Sequence, residues 1–217
     1  MCLTNNNNNI INTARHILDY LIKLILYTPA ILRGTAYILY YRLFRKNVKI
    51  KFPFLAFAEV SIIGPGKVFI DKGCHAQKNV FRGLTIVTRS VDSSVSIGAK
   101  SLLGGLTIRC HERIELGKKT MTAISLLQDS LFYNSDNVSS QVDTNISLRP
   151  NPVIVGANVW LGPDSIILGG SRIGNDSVLA AGAWCFGNRI GDYCLASGNP
   201  AKRPMPIDKL LKLKGLE

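Results

Sequence analysis

Residues 151–185 read NPVIVGANVWLGPDSIILGGSRIGNDSVLAAGAWC, and one spacing runs through them. Val155, Leu161, Ile167, Ile173 and Leu179 stand six apart. Gly156, Gly162, Leu168, Gly174 and Ala180 follow them by one position, and Val159, Ser165, Ser171, Ser177 and Ala183 by four. Helices repeat every 3.6 residues and strands every two, so neither explains a strict six. A short strand plus a turn does. The aliphatic points inward, the next residue gives the backbone room, and the small residue fits a corner. Three such sides close one coil, and stacked coils pair their strands in parallel so that backbone groups find partners above and below.

Upstream the period weakens. Ile97-Gly98, Leu103-Gly104 and Leu116-Gly117 fit it, Ile63-Gly64 and Ile70-Asp71 fit loosely, and the phase slips by one residue between Leu103 and Leu116, which predicts a bulge. From 128 to 152 the pattern vanishes in a polar stretch, read as a long loop leaving the coil wall. Loops of that length in compact domains are often functional.

Before residue 52 the texture is different. Asn5–Asn9 is a low-complexity run, and from about 10 to 41 the apolar residues recur at helical spacing. Pro29 and Gly34 are expected to break or kink this stretch into two helices. Arg15, Lys23, Arg33, Arg42, Arg45, Lys46, Lys49 and Lys51 face a single acid, Asp19, within residues 1–51. The longest charge-free runs here, Leu24–Leu32 and Gly34–Tyr41, fall short of the roughly 20 apolar residues that cross a bilayer. Two readings stay open: residues 10–51 lie on an anionic membrane surface, or the helices cap the protein's own core or a partner subunit. The expected organisation is a basic amphipathic segment at 1–51, the coil at 52–204, and a basic tail at 205–217 forming a short helix.

The whole chain has 217 residues and a formal net charge of +12, with 47% hydrophobic and 8% aromatic residues. Collagen-like and disordered classes are excluded by that composition. A nucleic-acid reader is not expected, because the basic segment carries no interleaved aromatic platform or reading motif. Five cysteines without a C-x-x-C pair argue against a disulfide framework and against zinc, so no metal is expected. The start MCLTNNNNNII lacks the features of a signal peptide, so the cytoplasm is the expected compartment, and the basic segment at 10–51 adds the expectation of a peripheral position on the inner face of the cell membrane.

Residues 151–185 together with ASGNPAKRP at 196–204 resemble the C-terminal half of hexapeptide-repeat acyltransferases, with V-W-L-G and G-N-P-A-K the most specific elements. The resemblance covers about 60–204, and the basic segment before it is similar to that of bacterial cell-surface polysaccharide O-acetyltransferases. It implies a mainly β fold, a left-handed parallel β-helix with an N-terminal α-helical segment. It also implies a homotrimer that binds acetyl-CoA between neighbouring coils and acetylates a sugar or lipid-linked glycan. On that resemblance Trp160 and Gly162 line the groove, Ala181 meets the cofactor through its backbone, and Asn199 and Lys202 close it, Lys202 towards phosphate.

The catalytic position departs from the pattern. Such enzymes carry a histidine at the repeat's edge that takes the acceptor's proton, whereas Gln128, Asp129 and Ser130 stand here. His111 lies eighteen residues before Asp129, one nominal coil, so the two are candidates for a base and its orienting carboxylate. A surface histidine on a coil wall is the alternative. Three outcomes remain: transfer to an amine, which needs no strong base; transfer to oxygen with a relocated base; or a catalytically inactive trimer that binds or scaffolds.

Overall fold

The structure is a computed structural model that describes residues 25, 27–78, 83–130 and 151–209. The Asn5–Asn9 run, most of the 10–24 helix expectation, the 131–150 stretch and the tail beyond 209 lie outside the described residues. Among the described residues, twenty-one short strands wind into a three-sided coil. The first face stacks β1 (Val48–Ile50), β4 (Lys67–Ile70), β7 (Ser94–Ile97), β10 (Arg113–Leu116), β13 (Val153–Val155), β16 (Arg172–Ile173) and β19 (Arg189–Ile190). The second stacks β2 (Phe54–Ala56), β5 (Cys74–Gln77), β8 (Leu102–Gly104), β11 (Met121–Ala123), β14 (Trp160–Leu161), β17 (Val178–Leu179) and β20 (Cys194–Ser197), and ends on β21 (Lys202–Pro206). The third stacks β3 (Val60–Ile63), β6 (Leu84–Thr88), β9 (Thr107–Cys110), β12 (Leu126–Gln128), β15 (Ile166–Leu168) and β18 (Trp184–Phe186). All neighbours pair in parallel except β20 with β21, which folds back antiparallel and covers the last edge.

Each face sends a mainly aliphatic column inward, and the first adds a second one, Val68, Val95, Ile114 and Val153. Ile70, Ile97, Leu116, Val155 and Ile173 stack on the first face, Leu103, Thr122, Leu161 and Leu179 on the second, and Ile86, Ile108, Leu127 and Ile167 on the third. All are buried, as are the corner residues Val159, Ser165, Ser171, Ser177 and Ala183. The hexad reading of 151–185 and the parallel β-helix are thus observed directly. Gly162 shows why a corner needs room: a Cβ there would stand 2.7 Å from the Ala181 nitrogen in the next coil.

The phase slip resolves into two steps. On the second-to-third corner the inward positions Leu103 and Ile108 are one residue closer than their downstream counterparts Leu161 and Ile167. On the third-to-first corner, Ile108 to Leu116 is two residues longer than Ile167 to Ile173. The net is one extra residue.

Helix α1 covers residues 27–44. It passes through Pro29 and Gly34 without the expected break. The Pro29 ring is exposed and removes one ladder bond only. Gly34 is what allows docking, because a Cβ would overlap the Phe54 carbonyl oxygen. Tyr41 fastens the same side, its hydroxyl accepting from the Ile62 amide at 2.9 Å. β1 falls inside the segment expected to precede the coil, since V-K-I alternation is hard to see within a run of lysines. β21 crosses the expected boundary at 204, and 207–209 are helical.

Candidate active site

Two edges of the prism hold the residues singled out in the sequence. The edge between the third and first faces gathers the long connections. Here Gln128 ends β12, and Asp129 is fully buried although it falls in the stretch read as loop. Its carboxylate accepts from the backbone amides of His111 at 2.8 and 2.9 Å, Glu112 at 2.6 Å and Arg113 at 2.9 Å. The Cys110 thiol adds a weak donor at 3.5 Å. Three consecutive amides around one carboxylate form an anion nest, and the bonds to a charged acceptor stabilise it in place of a cation.

The imidazole of His111 is not among these donors. The spacing of eighteen that suggested a His111–Asp129 pair assumed a regular coil. The register instead pairs Arg109 with Gln128, which stacks Asp129 on Cys110, nineteen residues away, and leaves His111 at the turn beyond. Asp129 therefore meets His111 through the main chain, while the exposed His111 ring stays at the edge. The backbone oxygen of Asp129 accepts from the Asn151 amide at 2.8 Å, so the chain before residue 130 and the chain after residue 150 meet here. Burial, joined by the Asp129 charge, pushes the Cys110 thiol far above its usual range, and burial raises Cys74 and Cys185 to about 11. None of the three is a thiolate nucleophile at neutral pH.

The second edge, between the second and third faces, holds the other set. Gly162 and Ala181 stack there in successive coils, and the Gly162 amide donates to Leu179 O at 2.8 Å. Asn199 sits in the turn before β21, exposed, with Lys202 exposed at the start of that strand. Trp160 lies on the outer side of the second face and is 48% exposed. The structure thus brings Trp160, Gly162, Ala181, Asn199 and Lys202 to one region of the coil. His111 and Asp129 lie across the third face, on its other border.

Some features carry no sequence signal. Outward residues of the second face form a ladder through register: His75, Leu102, Met121, Trp160, Val178, Leu195 and Met205. On the third face Leu126, Ile166 and Trp184 do the same, with Phe186 exposed beside them. The first face points Arg113, Glu115, Arg172 and Arg189 outward instead. Period-six aliphatics report the interior, so these outer ladders become visible only once the register is known. His75, at the top of the second-face ladder, packs beside Phe57 at 6.2 Å, and its burial lowers its pKa. Ile124 adopts φ +51°, a left-handed conformation costly for a β-branched residue, at the same edge as Gly162.

Among the described residues no cluster of His, Cys, Asp or Glu could hold a metal ion. The exposed imidazole can accept a proton, the clasped carboxylate can fix the turn that carries it, and the apolar second face with Lys202 suits an extended anionic ligand.

Comparison with known proteins agrees with this architecture. The family model for the bacterial transferase hexapeptide (six repeats) matches residues 152–187. A probable acetyltransferase of Mycobacterium tuberculosis (strain ATCC 25618 / H37Rv) is 29% identical over 157 residues, 67% of this chain and 52% of that relative. The chain therefore spans about half the length of the curated relative it matches. A mutant of the N-acyltransferase AntD from Bacillus cereus, solved with dTDP and coenzyme A, superposes with a TM-score of 0.52 at 18% identity, covering 76% of this chain and 87% of that one. The polySia-specific acetyltransferase NeuO superposes with a TM-score of 0.50 at 18% identity, covering 73% and 70%. At such identities these two show the fold alone. The repeat is found at the very stretch where the period is strict, so over residues 152–187 the chain is similar to the bacterial transferase hexapeptide family, and its fold is the parallel β-helix of the superposed structures.

Proposed function

We propose that the protein is an acyltransferase that moves acetyl from acetyl-CoA to a hydroxyl or amino group of a sugar in surface polysaccharide or lipopolysaccharide synthesis. The acceptor oxygen or nitrogen attacks the thioester carbonyl, the C–S bond breaks, and the CoA thiolate leaves. The acceptor's proton passes to a base, for which His111 is the candidate, and the leaving sulfur is protonated. An amine acceptor needs the base less. The named relatives supply the reaction class: one carries the name acetyltransferase, and the superposed proteins are an N-acyltransferase and a polysialic acid acetyltransferase.

The observation that carries the reading is the contrast of faces. The second and third faces present Met121, Trp160, Ile166 and Phe186 to the outside, whereas the first presents charge. Apolar walls of that extent fit copies of the same chain, in a homotrimer whose clefts hold the acyl donor. In such a cleft Trp160 and Lys202 of one copy would face His111 of its neighbour, joining what one protomer keeps apart. The basic segment at 10–51 would hold the trimer at the inner face of a membrane, where lipid-linked glycans reside.

Incubation with acetyl-CoA and a panel of amino sugars and glycans, following thiol release, tests this. Release with at least one acceptor is expected, and CoA binding is expected to vanish in Trp160→Ala. A second reading, an inactive trimer that binds or scaffolds, draws on the Asp129 carboxylate being held by amides rather than by an imidazole. CoA binding without release for any acceptor, unchanged in His111→Ala, would favour it.

A further inference from the structure

Helix α1 has two apolar sides. Ala30, Gly34, Tyr37 and Tyr41 face the coil, buried or half-buried. On the opposite side of the helix, at 100° per residue, stand Ile25, Leu32, Ala36, Leu39 and Leu43. Their exposure is unusual for leucine and isoleucine: 69% at Ile25, 65% at Leu32 and 72% at Leu43. Arg33 and Arg42 occupy the two seams between the sides, one on each flank. A helix that only capped the coil would show solvent a polar outer face. This one does not.

The charge around the ridge has one sign. No acidic residue occurs from 27 to 58, while Arg33, Arg42, Arg45, Lys46, Lys49 and Lys51 do. Arg45 is engaged with the Gly64 carbonyl at 2.6 Å and Lys51 with Asp71 at 3.1 Å. Arg33, Arg42, Lys46 and Lys49 are exposed and have no acidic partner among the described residues. Phe44 and Phe52 are exposed beside them. A shallow, largely apolar hollow lies on the Arg33 flank, lined by Arg33, Ala36, Tyr37 and Tyr40. No helix of the described residues is long and apolar enough to cross a membrane.

We infer that the outer ridge of α1, Leu32–Leu39–Leu43 with Arg33 and Arg42 on its flanks, is a docking surface for an anionic lipid bilayer, lying in the headgroup plane. The apolar ridge supplies burial and the flanking cations the attraction to anionic lipid. A second copy of the helix is the less fitting occupant, because like charges would line both sides of the seam. The inference rests on the membrane part of the reading above and on no catalytic step. It narrows that part from the segment at 10–51 to one side of one helix.

Co-sedimentation of the full chain with vesicles of phosphatidylcholine alone, or mixed equally with phosphatidylglycerol, tests it. The full chain is expected in the pellet with the anionic vesicles and in the supernatant with the neutral ones. Leu39→Glu combined with Leu43→Glu should weaken binding at least about ten-fold with an unchanged melting temperature, since both side chains are exposed. Arg33→Gln and Arg42→Gln should each weaken it about five-fold, and provide the test should the glutamate variant not fold. A full chain that ignores anionic vesicles overturns the inference together with the membrane reading. A glutamate or arginine variant that binds as the unaltered chain does overturns the inference and leaves that reading standing. A glutamate variant that binds normally but loses particle mass in vesicle-free solution overturns it in favour of a second copy.

Discussion

The coils after residue 151 and those before residue 130 share one cross-section but differ in how they turn corners. Downstream, strands mostly of two or three residues repeat at eighteen, as in the Ala157–Asn175 and Asn158–Asp176 bonds, shortening to seventeen in the last coil. Upstream the spacing of paired residues is uneven, nineteen in the Thr120–Ser101 bond and longer in the coils before it, and the extra length falls on more than one corner. The edge between the third and first faces carries Asp129 and His111. The regular half therefore supplies apolar walls, and the irregular half holds the clasped carboxylate with the exposed imidazole beside it. Strict periodicity leaves no residue to spare, and a spare residue is what makes a nest of amides.

Breaking the clasp should have the largest effect. Asp129→Ala leaves three partly buried amides without their acceptor and removes a fully buried carboxylate, at a cost of about 3–5 kcal/mol, read as a lower denaturant midpoint. In the regular half Leu161→Ala removes a fully buried side chain and should cost about 2–5 kcal/mol by cavity formation. A small loss from Asp129→Ala beside a full loss from Leu161→Ala would erase the contrast between the two halves.

Two upstream irregularities should respond in the opposite sense. Ile124→Gly relieves a left-handed β-branched residue and should raise stability by about 1 kcal/mol. Thr122 stands in the aliphatic column between Leu103 and Leu161, its hydroxyl buried without a partner. Thr122→Val should stabilise by about 1 kcal/mol, seen as a higher Tm.

The smallest expected effect is at His75. Its burial holds the pKa below the ordinary 6.5, so the unfolded chain protonates first as pH falls. The associated stability is complete above pH 6.5 and is lost as pH drops from there through the folded value. His75→Gln should flatten that part of the pH–stability curve without changing stability at pH 8.

The sequence made the interior legible where hexads are strict, because each inward aliphatic and each corner residue has one role. It failed where corners lengthen. Val48–Ile50 hid among lysines, and Asp129 looked like loop because it follows the last aliphatic of its side. The pairing of His111 with Asp129 rested on a coil of eighteen, and the nineteenth residue moved the carboxylate from the ring to the backbone. Trp160, Gly162 and Ala181 could be placed on the coil from spacing because they lie within the hexads, whereas Asn199 and Lys202 follow the last hexad and needed the β20–β21 pairing. The outer ladders and the second side of α1 needed register and exposure, which spacing alone does not report.

Mixed assemblies test the central claim most directly, namely that the Trp160–Lys202 region and the His111 edge act together only across two copies. Trp160→Ala and His111→Ala chains, each without thiol release alone, should regain a fraction of the unaltered activity when refolded together. No regain in verified mixed assemblies, or full activity in a protomer shown to be monomeric, would contradict the account.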